Sequence, residues 1–242
     1  MVRSALQSFP LFLRDPAAFF DEHDPATTLP IALILVVGLA VALGLSTVAV
    51  GSMLAGSMDA TVTMDNPDRP PEWACEQHGS GLPVDNCDEP ATIDRDAGML
   101  VSEAVTDYLG FAVIVPFVLW ALGSVVLFGA ARLAGGAPSV RGTVALAGWA
   151  ALPEFLQLGV GLLALRLALA DVTITDPQRG VAVLESALAP IEPFVAAATV
   201  LTVLWQWCLL TGGLERAAAL SRAAAATAVG VPLGIWLLLA LV

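Results

Sequence analysis

The residue of this chain best placed to do chemistry is a carboxylate inside an apolar run: Glu154 follows Pro153 well within the stretch 143–169. An acid in hydrocarbon is costly and commonly marks an ion or proton path. Gln157, about one turn beyond it, and Gln206 in a later apolar stretch could complete a small polar cluster, because amide groups both donate and accept. Two chemistries compete at this cluster. One is a proton or solute relay, and the other is a hydrogen-bonded carboxyl that helps two helices pack. Packing is favoured, since the cluster holds one acid and no basic partner within the membrane. Arg166 does not supply that partner, because it lies about 18 Å further along a helix and can snorkel outward. Pro153 cannot donate to the carbonyl of Trp149, so a kink and a free acceptor are expected at that turn.

A second set combines Cys75, His78 and Cys87, with Asp85 or Asp88 near. The two cysteines could pair as a disulfide, which the spacing favours. Alternatively Cys-x-x-His could offer two zinc ligands, although no second such pair supplies the rest of a tetrahedral set. Free thiols are the third reading. Cys208 lies inside an apolar stretch and is expected to be a packing residue. No HExxH, GxSxG or Walker A pattern is present, and His23 and His78 both fall outside the apolar stretches, so no nucleophile and base can be named. Neither a catalytic role nor a cofactor is expected.

These residues must be positioned by five apolar stretches, roughly 29–56, 109–134, 143–169, 194–213 and 220–242. Each meets the requirement of about 20 apolar residues for a helical span. Hydrocarbon satisfies no free backbone group, and the stretches lack the alternation of a membrane barrel, so helices are required. The expected fold is an all-α polytopic membrane bundle of five transmembrane helices, residues 29–242, preceded by a segment 1–28. The lipid bilayer is the first partner. In the last stretch Ala226, Gly230 and Gly234 recur every fourth residue, which permits close helix packing within the chain or, as a sharper reading, a homo-oligomer or contact with other membrane proteins. Pro116 and Pro232 add expected kinks.

Of 242 residues 57% are hydrophobic and 13% charged, with a net charge of -12. Mean hydropathy is +0.82. Acidity is local: Met58 to Asp107 holds twelve carboxylates against Arg69 and Arg95. That run reads as a hydrated extracytoplasmic loop, and its sign argues against a nucleic-acid partner. All ten basic residues are arginine, which with the acidic loop suggests a high-salt or high-GC proteome.

Segment 1–28 interleaves Phe9, Leu11, Phe12, Leu13, Phe19 and Phe20 with charges and is not ordered like a signal peptide. It is expected to be amphipathic and to lie on the cytoplasmic membrane surface with its aromatics at headgroup depth. A cytoplasmic N-terminus puts Arg3, Arg14, Arg132, Arg141, Arg216 and Arg222 inside, against Arg69, Arg95, Arg166 and Arg179 outside. The C-terminus of a multi-pass cell-membrane protein then lies outside, with Cys75 and Cys87 in an oxidising exterior.

Residues 130–155, ARLAGGAPSVRGTVALAGWAALPEFL, resemble the Yip-domain family, the Ypt/Rab-interacting membrane proteins and their prokaryotic relatives. The matching positions are the Gly135-Gly136 turn, Ser139, Arg141, Trp149 and Pro153. Asp15-Pro16 with Phe19-Phe20 is similar to the family's entry segment, and GLERAAALSRA at 213–223 to its last cytoplasmic turn. The resemblance implies a five-span, non-enzymatic integral membrane protein acting in membrane organisation or partner recruitment. In eukaryotic members it implies Rab GTPase binding through a longer cytosolic N-terminal region. The acidic loop with Cys75 and Cys87 departs from the family pattern. A small transporter or channel component using Glu154 is the alternative, although five spans do not divide into equal repeats.

Overall fold

The computed structural model describes residues 16–76 and 86–240. A short helix α1 (Pro16–Glu22) and a 3-10 turn (Pro25–Thr28) lead into α2 (Leu29–Gly56). The turn is fixed locally, because the Asp24 carboxylate accepts from the Ala26 N–H at 2.9 Å and the Thr28 hydroxyl donates to the Pro25 carbonyl at 2.8 Å. Beyond α2 the chain forms β1 (Thr61–Asp65), α3 (Glu72–Glu76), β2 (Thr92–Asp96) and α4 (Ala97–Thr106). It continues through α5 (Leu109–Leu133), α6 (Val140–Trp149), α7 (Ala151–Ala168), α8 (Gly180–Leu188), α9 (Glu192–Ala217) and α10 (Arg222–Ala240). Among the described residues five helical spans are long and apolar enough to cross a membrane: Pro25–Gly56, Ala97–Leu133, Val140–Ala168, Glu192–Ala217 and Arg222–Ala240. The protein is an all-α polytopic membrane bundle.

The spans differ by a few residues from the stretches read in the sequence, and two differences are larger. The second span begins at Ala97, because α4 folds back along the end of α2 instead of belonging to a hydrated loop. Contact there is close: a Cβ on Gly98 would lie 2.7 Å from the Ala55 carbonyl oxygen. The Asp96 carboxylate caps α4 by accepting from the Met99 N–H at 2.8 Å, so one of the acids counted as loop solubiliser is a helix start signal. The third stretch is two helices rather than one, separated at Ala150.

The acidic segment between α2 and α4 is also more ordered than a hydrated loop. Strands β1 and β2 pair antiparallel, from Thr61 opposite Asp96 to Asp65 opposite Thr92. Asp59 N–H donates to the Ile174 carbonyl and Ile174 N–H to the Ser57 carbonyl, at 2.9 and 2.7 Å, which ties the hairpin base to the α7–α8 connection.

Helices α2 and α9 are the two hubs. Around α2 pack α4, α5, α6 and α7, while α9 contacts α1, α6, α7 and α10. The core lies between them, built from Phe19, Phe20, Ala32, Leu146, Trp149, Leu209 and Leu214 with smaller neighbours. Outward faces are apolar, as lipid requires. On α5 Phe111, Ile114, Val118, Leu122 and Val125 are exposed at helical spacing. The chain has two ends: an entry end with α1 and the α5–α6 and α9–α10 turns, and a far end with the β-hairpin.

Candidate functional site

Two clusters gather the residues singled out by type and spacing. At the entry end, Trp149 closes α6 with only 1% of its surface exposed, and its indole N–H donates to the Thr28 hydroxyl at 2.9 Å. Thr28 passes its own proton to Pro25, so a chain of bonds links α6 to the turn that starts α2. Phe19 and Phe20 present ring edges to Trp149 at centroid distances of 5.4 and 6.2 Å. Both are buried against protein, at 0% and 2% exposure, rather than presented to lipid. Helix α1 is amphipathic, and its apolar face meets α9 instead of lipid. Gly213 makes room for that contact, since a Cβ there would meet Leu146 and Phe20. An Asp21–Arg216 ion pair closes the outer edge of the α1–α9 contact. The earlier part of the amphipathic segment, with Phe9, Leu11, Phe12, Leu13, Arg14 and Asp15, lies outside the described residues.

The glycine turn completes this end. Gly135 sits at φ +83°, which L side chains rarely adopt, and its neighbour Gly136 donates to the Ala131 carbonyl at 2.9 Å. A Cβ on Gly136 would come within 2.9 Å of both the Ala218 oxygen and the Leu220 side chain. The next N–H, from Ala137, donates to that Ala218 oxygen at 2.9 Å, so the α5–α6 and α9–α10 turns are bonded to each other. Ser139 caps α6, accepting from the Gly142 N–H at 3.1 Å. Arg141 is exposed on the first turn of α6, and Pro153 is buried on the first turn of α7.

The second cluster lies at the break in the third span. The Gln206 side-chain amide on α9 donates both to the Ala150 carbonyl at 3.0 Å and to the Glu154 carboxyl at 2.6 Å. Its two amide protons thus bind the end of α6 and the start of α7 together. The carbonyl served is that of Ala150, one residue beyond the acceptor expected from Pro153. Gln157 does not join Glu154. It donates instead to the Thr199 hydroxyl at 3.1 Å, which extends the polar α7–α9 seam. On the far side of α9, Trp207 donates to the Ala226 carbonyl at 2.9 Å and lies over Gly230, so part of the small-residue stripe is filled within the chain. Cys208 is exposed on α9 rather than packed.

At the far end Cys75 and Cys87 stand at disulfide geometry, with Cα atoms 5.5 Å apart. Asp88 is exposed, while His78 and Asp85 lie outside the described residues. Thr28, Thr199 and the Asp21–Arg216 pairing were not singled out by sequence, and Gly213, expected at a turn, lies inside α9. Each is ordinary in type, and only a long-range partner gives it meaning. A phenylalanine pair just before a proline-started turn is the one local signal that could have pointed to the docking of α1.

The model of the Yip1 domain matches residues 11–242. This chain belongs to the Yip1-domain family. The match takes in all five membrane-spanning segments. Searches of curated proteins and of solved structures return no match.

Proposed function

We propose that this Yip1-domain protein is a non-enzymatic membrane organiser that recruits partner proteins at its entry end, which faces the cytoplasm. The observation supporting this reading is the docking of α1: Phe19 and Phe20 seat on Trp149, and Asp21 pairs with Arg216. Order at that end is already in place before any partner arrives, which lowers the entropic cost of recognition. The glycine turn and the Ser139 cap hold the neighbouring surface in one shape. In this reading Glu154, Gln157 and Gln206 are structural, joining helices through hydrogen bonds. The arginine distribution supports a cytoplasmic segment 1–28, an outer acidic region and an extracytoplasmic C-terminus in the cell membrane.

The test compares wild-type protein with Phe19→Ala/Phe20→Ala, each purified in mild detergent after crosslinking in cells. A defined set of membrane proteins should crosslink to the wild type and be depleted on the variant, while both run as monodisperse species. Identical crosslinks for the two forms would refute recruitment at this end. Proteoliposome flux that is lost in Glu154→Gln would instead establish the transporter alternative.

A further inference from the structure

Arginines at the entry end fall into two groups. Arg216 is paired with Asp21, whereas Arg132, Arg141 and Arg222 are exposed and make no ion pair among the described residues. The unpaired three sit at the ends of helices that adjoin the two bonded turns. Arg132 lies in the last turn of α5, its guanidinium 5.4 Å from the centre of the Phe128 ring. Arg141 is on the first turn of α6, and Arg222 is the first residue of α10. The joint between those turns is rigid, because Gly136 and Ala137 pack on Ala218 and Leu220. Among the described residues, the acidic groups of this end lie on other elements than the three arginines. Asp21, Glu22 and Asp24 belong to α1 and its following turn, which pack on α9 and α6, and Glu215 belongs to α9. The ends of α5, α6 and α10 thus each carry an arginine without an ion-pair partner among the described residues.

Two of these arginines stand where a cation is electrostatically disfavoured, at the N-terminal ends of α6 and α10, where helix dipoles already present positive charge. An anion would relieve that repulsion and be held by guanidinium forks suited to phosphate oxygens. Beside the arginines, Leu133 and Val140 project from the protein, 92% and 66% exposed. Both belong to the ends of membrane spans, so apolar side chains and phosphate-binding groups meet at headgroup level. A soluble anion would leave Leu133 in water; a phospholipid covers it with acyl chain.

We propose that Arg132, Arg141 and Arg222, with Leu133 and Val140, form a binding site for the headgroup and upper acyl chain of an anionic phospholipid. The test is native mass spectrometry of detergent-purified protein titrated with phosphatidylglycerol or phosphatidylcholine. Wild type should retain phosphatidylglycerol on the order of a hundredfold more than phosphatidylcholine, given a contribution of about fivefold for each of three basic residues near a lipid surface, and the preference should fall with salt. The triple variant Arg132→Gln/Arg141→Gln/Arg222→Gln should lose the preference, and the triple arginine-to-lysine variant should keep most of it. Variants are compared only where they remain monodisperse and helical, and the lysine form provides the reading if the glutamine form does not fold. Equal retention of the two lipids by wild type would overturn the proposal. So would an undiminished preference in the glutamine variant, a lysine form as indifferent as phosphatidylcholine binding itself, or a loss reproduced by the far-end control Arg69→Gln/Arg179→Gln. Displacement of the lipid by millimolar inorganic phosphate would show a soluble-anion site and equally reject it.

Discussion

At the scale of single residues, Gln206 on the fourth span is the most consequential side chain for the third, because its one amide serves acceptors on both sides of a helix break there. An unmet carbonyl or carboxyl in lipid is costly, yet measured helix–helix hydrogen bonds in membranes are worth only about 1 to 2 kcal/mol at most. Gln206→Leu and Glu154→Leu are each expected to lower stability in detergent by about that amount, read from thermal unfolding. Their double variant should cost less than the sum, because the two changes remove the same bond. Glu154→Gln should unfold close to the parent, since its side-chain oxygen can still accept from Gln206. Full stability of Glu154→Gln with loss of a measured flux would refute the packing account. Glu154 was legible in the sequence as an acid in an apolar run, and Gln206 as an amide in another. Their pairing needed the antiparallel register of α7 and α9, which no local pattern encodes. Gln157 shows the limit: helical spacing placed it near Glu154, but its bond goes to Thr199 on the neighbouring helix.

Elements were legible where hydrophobicity alone decides them, and not where a partner does. The run at 29–56 is a single helix with those same bounds, because nothing but an intra-segment ladder can satisfy its backbone in lipid. Helix α4 was hidden among carboxylates, since its apolar face is paired with the end of α2 and only that contact distinguishes it from loop. The same reasoning explains α1, whose aromatics suit a headgroup layer and a protein groove equally well in sequence. The groove predicts a test. Gly213→Ala would push a methyl group into Leu146 and Phe20, and overpacking of this kind costs about 1 to 3 kcal/mol. Helix α1 should then detach, increasing protease cleavage near Glu22 while α9 stays protected, and an unchanged cleavage rate would show that α1 docks without relying on this contact. The far end carries a separate prediction, that Cys75 and Cys87 are oxidised to each other in the mature protein. Closing a loop of this length stabilises by about 3 kcal/mol in the chain-entropy treatment. Alkylation and mass analysis of protein taken directly from membranes should find neither thiol free. Two free thiols would reject the bridge, and stoichiometric zinc would favour metal ligation.

On the scale of the whole molecule, the two ends differ in more than charge. The entry end joins its turns by backbone bonds and buried aromatics, so its surface is set by the same contacts that hold the bundle together. The far end rises on α2 and α4 as a hairpin whose link to the rest is the Ile174 bridge. A 28-residue α2 is about 42 Å long against a hydrocarbon core of about 30 Å, so the helix has length to carry the hairpin clear of lipid. Arginines flanking the α5–α6 and α9–α10 turns oppose their translocation. These features together predict the orientation. In a background lacking native cysteines, Asp85→Cys should react with a membrane-impermeant maleimide in intact cells, whereas Ala137→Cys should react only after permeabilisation. Ala137 suits the purpose because it is exposed and its backbone bond to Ala218 survives the substitution. The reverse pattern would place the glycine turn outside and invert the assignment of both ends. Reaction at both positions in intact cells would mean mixed insertion, which the proposed single orientation does not allow.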